Sequence, residues 1–95
     1  MRSKPRTDAN QAAIVNALRR AGATVQILAG VGQGCPDLLV GVHGDNRLLE
    51  VKDGAKSPSR RRLTPDEARW QAEWRGEVVT VASVDEALTV VGVRR

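Results

Sequence analysis

Apolar residues at Ala13, Ile14, Ala17, Leu18 and Ala21 recur at three- and four-residue spacing, the period of an amphipathic helix. Asp8 stands as its N-cap with Gln11 completing a capping box, and Gly22 closes it. Thr24 to Ala29 alternates Val25 and Ile27 against Thr24, Gln26 and Leu28, which predicts a strand. Two further β-type runs, Asp37 to Val42 and Leu48 to Lys52, flank a Gly-Asp turn signal and predict a hairpin. Thr64-Pro65-Asp66-Glu67 opens a second helix, with a threonine N-cap, proline at the first position and a glutamate that completes a capping box, running to about Trp74. Gly76 breaks the chain, Val78 to Ala82 predicts a fourth strand, and Ser83-Val84-Asp85-Glu86 caps a last helix reaching about Val91.

Side chains of a strand alternate between faces, so the parity of the hairpin loop decides which residues meet. An even loop, either Gly44-Asp45 or His43 to Asn46, puts Asp37, Leu39 and Gly41 on one face with Leu48, Glu50 and Lys52. Leu38, Val40, Val42, Leu49 and Val51 take the other face. Because Leu39 and Leu48 are also apolar, both strands read as central strands covered on both sides. In that register Asp37 lies opposite Lys52 and diagonal to Glu50, at about 7–8 Å.

Two carboxylates at that spacing suit one hard divalent cation, and Mg²⁺ prefers one or two carboxylates plus waters and phosphate oxygens. The Val51 carbonyl offers a third oxygen. Lys52, on the same side as Glu50, can hold or help deprotonate a water aimed at a phosphodiester. Charges placed on such an apolar face need a reason, and hydrolysis of DNA supplies one. The plainer alternative is a solvated Glu50/Lys52 pair and a strand-entry aspartate after Pro36.

Composition narrows the partners. The 95 residues suit a single domain, and 15 basic against 11 acidic residues give a net charge of +4, which favours a polyanion. Two basic stretches stand out: an N-terminal arm over residues 1–7 with Arg2, Lys4 and Arg6, and a flexible loop over residues 53–62 with Lys56, Arg60, Arg61 and Arg62. The loop follows Lys52 directly and is expected to touch DNA phosphates. Gly30-Val31-Gly32-Gln33-Gly34 lacks the P-loop spacing and opens no helix, so no nucleotide cofactor is expected; Gln33 can instead reach a phosphate. Cys35 and His43 are the only residues of their types, which excludes an internal disulfide and a Cys/His zinc set. Cys35 is expected as a small packed residue and His43 as a turn residue. Trp70 and Trp74, one helical turn apart, are expected as core or dimer anchors. Neither a membrane span nor a signal peptide is indicated, which points to the cytoplasm, a host's cytoplasm for a phage-encoded chain.

Pro36-Asp37 followed by Glu50-Val51-Lys52 resembles the PD-(D/E)XK nucleases. From about Asp8 to Val91 the chain is most similar to the virus-type replication-repair nucleases (VRR-NUC) and the archaeal-type Holliday-junction resolvases. The resemblance implies an α/β fold with a restriction-endonuclease-like αβββαβ core, a mixed central sheet flanked by helices. It further implies a metal-dependent endonuclease with Mg²⁺, or Mn²⁺ as substitute, acting on branched or structured DNA. A homodimer and a phage- or prophage-type role in replication, recombination or DNA repair go with it. The implied site is Asp37, Glu50 and Lys52, with the cation held by Asp37, Glu50 and Val51. Related nucleases place a glutamate on the first helix, where this chain offers Asp8, Asn10 and Gln11; Gln11 and Asp8 are the expected contacts. Some relatives carry a glutamine at the place of Glu67, although capping accounts for Glu67 without a role in the site.

Two readings of different class follow. One is the nuclease; the other is a non-catalytic DNA-binding protein that retains the fold, favoured by the missing helix-one glutamate. A restriction-type enzyme on linear duplex is disfavoured, since so short a chain holds no recognition insertion.

Overall fold

The computed structural model describes residues 6–92, with side chains from residue 9 onward. Residues 1–5 of the expected basic arm, the side chains of residues 6–8 and the Val93-Arg94-Arg95 tail therefore lie outside the described residues, and the last two residues of that arm, Arg6 and Thr7, belong to the first helix. The chain runs α1 (Arg6–Arg20), β1 (Thr24–Ile27), β2 (Leu38–Val42), β3 (Asp45–Val51), α2 (Pro65–Glu73), β4 (Val78–Val81) and α3 (Val84–Val91). This is the expected order; β1, β2 and β4 are one or two residues shorter than expected, whereas β3 starts three residues earlier, at Asp45, and stops one residue sooner, at Val51.

The first helix starts at Arg6, so Asp8 is not its N-cap as the capping-box pattern suggested. Its other end matches expectation. Gly22 adopts φ +101°, and the N–H groups of Gly22 and Ala23 reach back to the carbonyls of Arg19 and Leu18, the pairing of a Schellman cap. The inward stripe is Ile14, Val15 and Leu18, whereas Ala13 and Ala21 face solvent.

The sheet order is β1-β2-β3-β4, antiparallel through β3 and parallel between β3 and β4. Parallel strands need a crossover, and α2 supplies it. One sheet face, with Leu38, Val40, Leu49, Val51 and Val81, packs against Ile14, Val15 and Leu18 of α1 and Ala87, Leu88 and Val91 of α3 to form the core. The α3 helix is capped by Ser83, whose hydroxyl accepts from the Glu86 N–H, and ends at a left-handed Gly92.

The hairpin loop is even, as parity required, but consists of His43-Gly44, with Val42 paired to Asp45. Both loop residues take positive φ, +52° and +80°, as a type I′ turn demands. Relative to the expected loop, the ladder slides by two residues without exchanging faces. One step beyond the Leu38/Leu49 pair, Asp37 falls opposite Glu50 rather than opposite Lys52.

The second face is covered less fully than two apolar runs suggested. Only α2 lies over it, and no residue of α2 is buried. Leu39 and Leu48 line an open groove of about 410 Å³ together with Leu28, Cys35, Trp70 and Trp74. The two indoles stack at a centroid distance of 4.6 Å, and Trp74 remains 48% exposed. Among the described residues no helix is long and apolar enough to cross a membrane.

Candidate functional site

Asp37 stands just before β2, after a buried Pro36 that has no N–H to donate. Its carbonyl still accepts from the Leu28 N–H at 2.8 Å. Its side chain continues the hairpin in place of backbone: Oδ2 accepts the Val51 N–H at 2.7 Å. The bond ties the aspartate to β3 immediately after Glu50.

Glu50 is 2% exposed, and its Oε1 has no hydrogen-bond partner. A buried carboxylate that cannot be solvated resists ionisation, and neighbouring negative charge adds to this. Burial comes first here, followed by Asp37 and then Glu67, and together they push the Glu50 carboxyl up to about 9. So placed, the carboxyl favours its protonated form. The same surroundings act on Cys35, where burial and then the charges of Glu50 and Asp37 push the thiol up, away from the thiolate form.

Lys52 leaves the sheet on the same side. Its Nζ donates to Glu67 Oε1 at 2.6 Å and lies 3.9 Å from Glu50 Oε2. Glu67 therefore does two things. As the third residue of α2 it closes the capping box, its Oε1 accepting from the Thr64 N–H at 2.8 Å while its own N–H donates to Thr64 Oγ1 at 3.2 Å. The same oxygen carries the lysine. Burial works against ionisation of Glu67, but the bonds from Lys52 and Thr64 outweigh it and hold the carboxyl below its ordinary range. The capping signature in the sequence accounted for the local role and concealed the second one.

The glycine-rich loop brings α2 close enough for this. Gly34 has φ +85°, and a Cβ there would collide with the Asp66 carbonyl and the Glu67 N–H. The neighbouring Gln33 is exposed and also takes a positive φ, +57°.

From α1 the residue that reaches the strand ends of the site is Asn10. Its Nδ2 donates to the Lys52 carbonyl at 2.7 Å and to the Ala82 carbonyl at 3.0 Å. No hydrogen bond among the described residues joins the half-buried Gln11 to the acidic cluster. The resemblance offered Asn10 as one of three helix-one positions but favoured Gln11 and Asp8, and no sequence pattern records its partners, which lie 42 and 72 positions away.

The basic loop is folded back on itself instead of open. It contains a short 3-10 turn, Pro58–Arg60, and Arg61 donates to the backbone carbonyls of Lys56 and Gly54. Lys56, Arg60 and Arg62 remain exposed. Asp53, buried at the start of the loop, accepts the Ala55 N–H with Oδ1. Among the described residues no group of three or more His, Cys, Asp or Glu is arranged to hold a metal.

A helix, an antiparallel three-stranded meander, a crossover helix and a parallel fourth strand, with Asp37, Glu50 and Lys52 gathered where β2 begins and β3 ends, define a restriction-endonuclease-like α/β fold. A solved structure titled "VRR_NUC domain" shares it, with a TM-score of 0.68 and 24% sequence identity over 94% of this chain and 97% of that one. At that identity the likeness is one of fold. No family model and no curated protein matches the sequence.

Proposed function

We propose that the protein is a metal-dependent endonuclease that hydrolyses phosphodiester bonds in DNA, with branched or structured DNA as its substrate. The observation that carries this reading is Glu50: a fully buried carboxylate with an oxygen lacking any partner, opposite Asp37 and 3.9 Å from an ammonium group. Leaving such a group uncompensated is costly, and fold stability gives no reason for it.

The donor set fits Mg²⁺, or Mn²⁺ in its place: hard oxygens from Asp37 and Glu50, with no soft ligand nearby except a protonated thiol. The N–H and C=O of one strand residue point to the same side, so the Val51 carbonyl shares the Asp37 side of β3 and supports a third oxygen. When bound, the cation supplies Lewis-acid stabilisation of charge on the phosphate. Asp37 and Glu50 would hold that cation and so fix where the phosphodiester could meet it. Lys52, held on the same face, donates a hydrogen bond from its ammonium group to the attacking water or to the scissile phosphate; as the neutral amine, its Nζ would take the proton that the water gives up when its oxygen attacks phosphorus. Lys56, Arg60, Arg62 and Gln33 contact backbone phosphates along the rim of the site, positioning the strand without reading sequence. The thinly covered face with Leu39, Leu48 and the exposed Trp74 supports a homodimer, since a second copy would complete the burial that α2 leaves unfinished.

The test offers labelled four-way junction, fork, flap and linear duplex side by side, with Mg²⁺, with Mn²⁺ and with chelator. Cleavage of the branched substrates only with metal, lost in Asp37→Asn and Lys52→Ala, is the expected result. A second reading, a DNA-binding protein without catalysis, is favoured by one observation: no third carboxylate joins Asp37 and Glu50 in a metal-holding cluster among the described residues. Salt-dependent binding with no product in either metal would select it.

A further inference from the structure

At Lys52 the chain leaves the sheet and enters the basic loop, yet both backbone groups of this residue are held. The N–H donates to the Val81 carbonyl at 2.9 Å, the last rung between β3 and β4. The carbonyl points to the same side, where the ladder has nothing more to offer. In a parallel ladder the next donor would be the Ser83 N–H, but β4 stops at Val81 and the chain turns at Ser83 into α3, so that rung is not made. Two carbonyls, of Lys52 and Ala82, are thus left side by side without a backbone donor between them. The two hydrogens of the Asn10 amide meet both, at 2.7 and 3.0 Å.

We infer that Asn10 is a positioning residue for the proposed chemistry: by gripping the backbone at Lys52 from α1, it sets where the lysine side chain starts and so where its ammonium group ends. This rests on the nuclease reading of the site. Lysine carries four rotatable bonds, and its charge reaches Glu67 and Glu50 only if the Cα is held at the right distance. Without the amide, the last residue of the strand becomes the first residue of the loop, and the ammonium group moves with it. Ile14, Val15 and Leu18 already bind α1 to the sheet through the core. Loss of the amide alone therefore leaves the fold standing while the lysine loosens. An aspartate at this place is a sharper probe than alanine, since it sets acceptors against two carbonyls.

The experiment compares wild type with Asn10→Ala, Asn10→Asp and Asn10→Gln, using two readouts. The first is acylation of lysine amines in metal-free protein, mapped by peptide mass spectrometry, with the exposed Lys56 as internal reference. The second is turnover of four-way junction DNA in Mg²⁺ at saturating substrate, alongside DNA affinity. For Asn10→Ala and Asn10→Asp we expect Lys52 labelling relative to Lys56 to rise about threefold and turnover to fall about tenfold, with DNA affinity within about twofold. Asn10→Gln, which keeps both donors, should recover part of each effect. Circular dichroism establishes that each variant is folded; if alanine is not, the comparison of aspartate with glutamine carries the test. Unchanged Lys52 labelling overturns the clamp whether or not DNA is cut. Raised labelling with unchanged turnover overturns the link to chemistry. A wild-type protein that cuts no DNA overturns the nuclease reading and the catalytic half of the inference with it, and leaves the labelling result to decide the clamp.

Discussion

The Val51 N–H donates to Asp37 Oδ2 at 2.7 Å, so the aspartate side chain acts as the next rung of the hairpin just where the backbone ladder ends. Asparagine can keep that bond and alanine cannot. Asp37→Asn should therefore melt close to wild type, whereas Asp37→Ala leaves a part-buried N–H without an acceptor and should lose about 1–3 kcal/mol in denaturant unfolding. Both should lose Mg²⁺-dependent cleavage by about a hundredfold or more. Cleavage surviving in Asp37→Asn would remove this residue from the cation site.

The buried Glu50 makes stability depend on pH in the direction opposite to most carboxylates. Its folded pKa, about 9, lies above the ordinary 4.5, so between those values the folded chain keeps a proton that the unfolded chain has released. In chelator, the contribution of Glu50 should be fully present below the unfolded value and decline as pH rises toward 9. Glu67 acts the other way at the acid end, because its pKa is lowered and its bond to Lys52 is lost as pH falls below the ordinary carboxylate range. Urea midpoints at pH 5, 7 and 9 check this, and added Mg²⁺ should flatten the alkaline decline by binding the ionised form. A midpoint that rises from pH 5 to 9 in chelator would contradict the buried, proton-holding Glu50.

Glu67 can be dissected by size and charge. Glu67→Ala removes the capping acceptor and should cost about 1 kcal/mol, and Glu67→Gln, which still accepts from Thr64, about half of that. Glu67→Gln also removes one of the charges that raise Glu50, and should shrink the alkaline decline just described. Equal losses for alanine and glutamine would show that the cap contributes nothing.

Two glycines with similar backbone angles should behave differently. Gly44 has φ +80° with open space where a Cβ would go, so Gly44→Ala should cost about 1–2 kcal/mol for the left-handed conformation alone. Gly34 has φ +85° and faces the Asp66 carbonyl, so Gly34→Ala adds a backbone clash that must displace α2, and should cost more. Chemical denaturation ranks the pair; equal costs would mean that the loop and α2 do not pack as closely as described.

The basic loop should separate into two kinds of cation. Replacing Lys56, Arg60 and Arg62 together should lower the slope of log affinity for DNA against log salt by up to about 3. Arg61→Ala should leave that slope nearly unchanged and instead expose residues 54–61 to protease, because its guanidinium bonds the carbonyls of Gly54 and Lys56. An unchanged slope in the triple variant would place the DNA elsewhere.

Much of the architecture was local and therefore visible along the chain. The Thr64-Pro65-Asp66-Glu67 and Ser83 helix starts, the Gly22 stop and the alternation through Leu38 to Val42 each depend on contacts within a few residues. So did the gathering of Asp37, Glu50 and Lys52 on one face, which needs only an even hairpin loop. The register within that parity was harder. His43 had to adopt a positive φ, which side chains other than glycine, asparagine and aspartate seldom do, and the Gly44-Asp45 pair offered a more ordinary turn.

The chain alone determined the order of the elements, Ile14 and Leu18 of the inward stripe of α1, the faces of the hairpin and the common face of Asp37, Glu50 and Lys52, because periods of two and 3.6 and the chemistry of caps act over short distances. Tertiary structure decided what those residues touch. Packing brought Glu67 to Lys52 across 15 positions and Asn10 to Lys52 and Ala82 across 42 and 72, and left the groove beside Leu39 and Leu48 open under a helix with no buried residue. Such contacts follow from how a sheet and its helices close on one another in space. No spacing along the sequence records that.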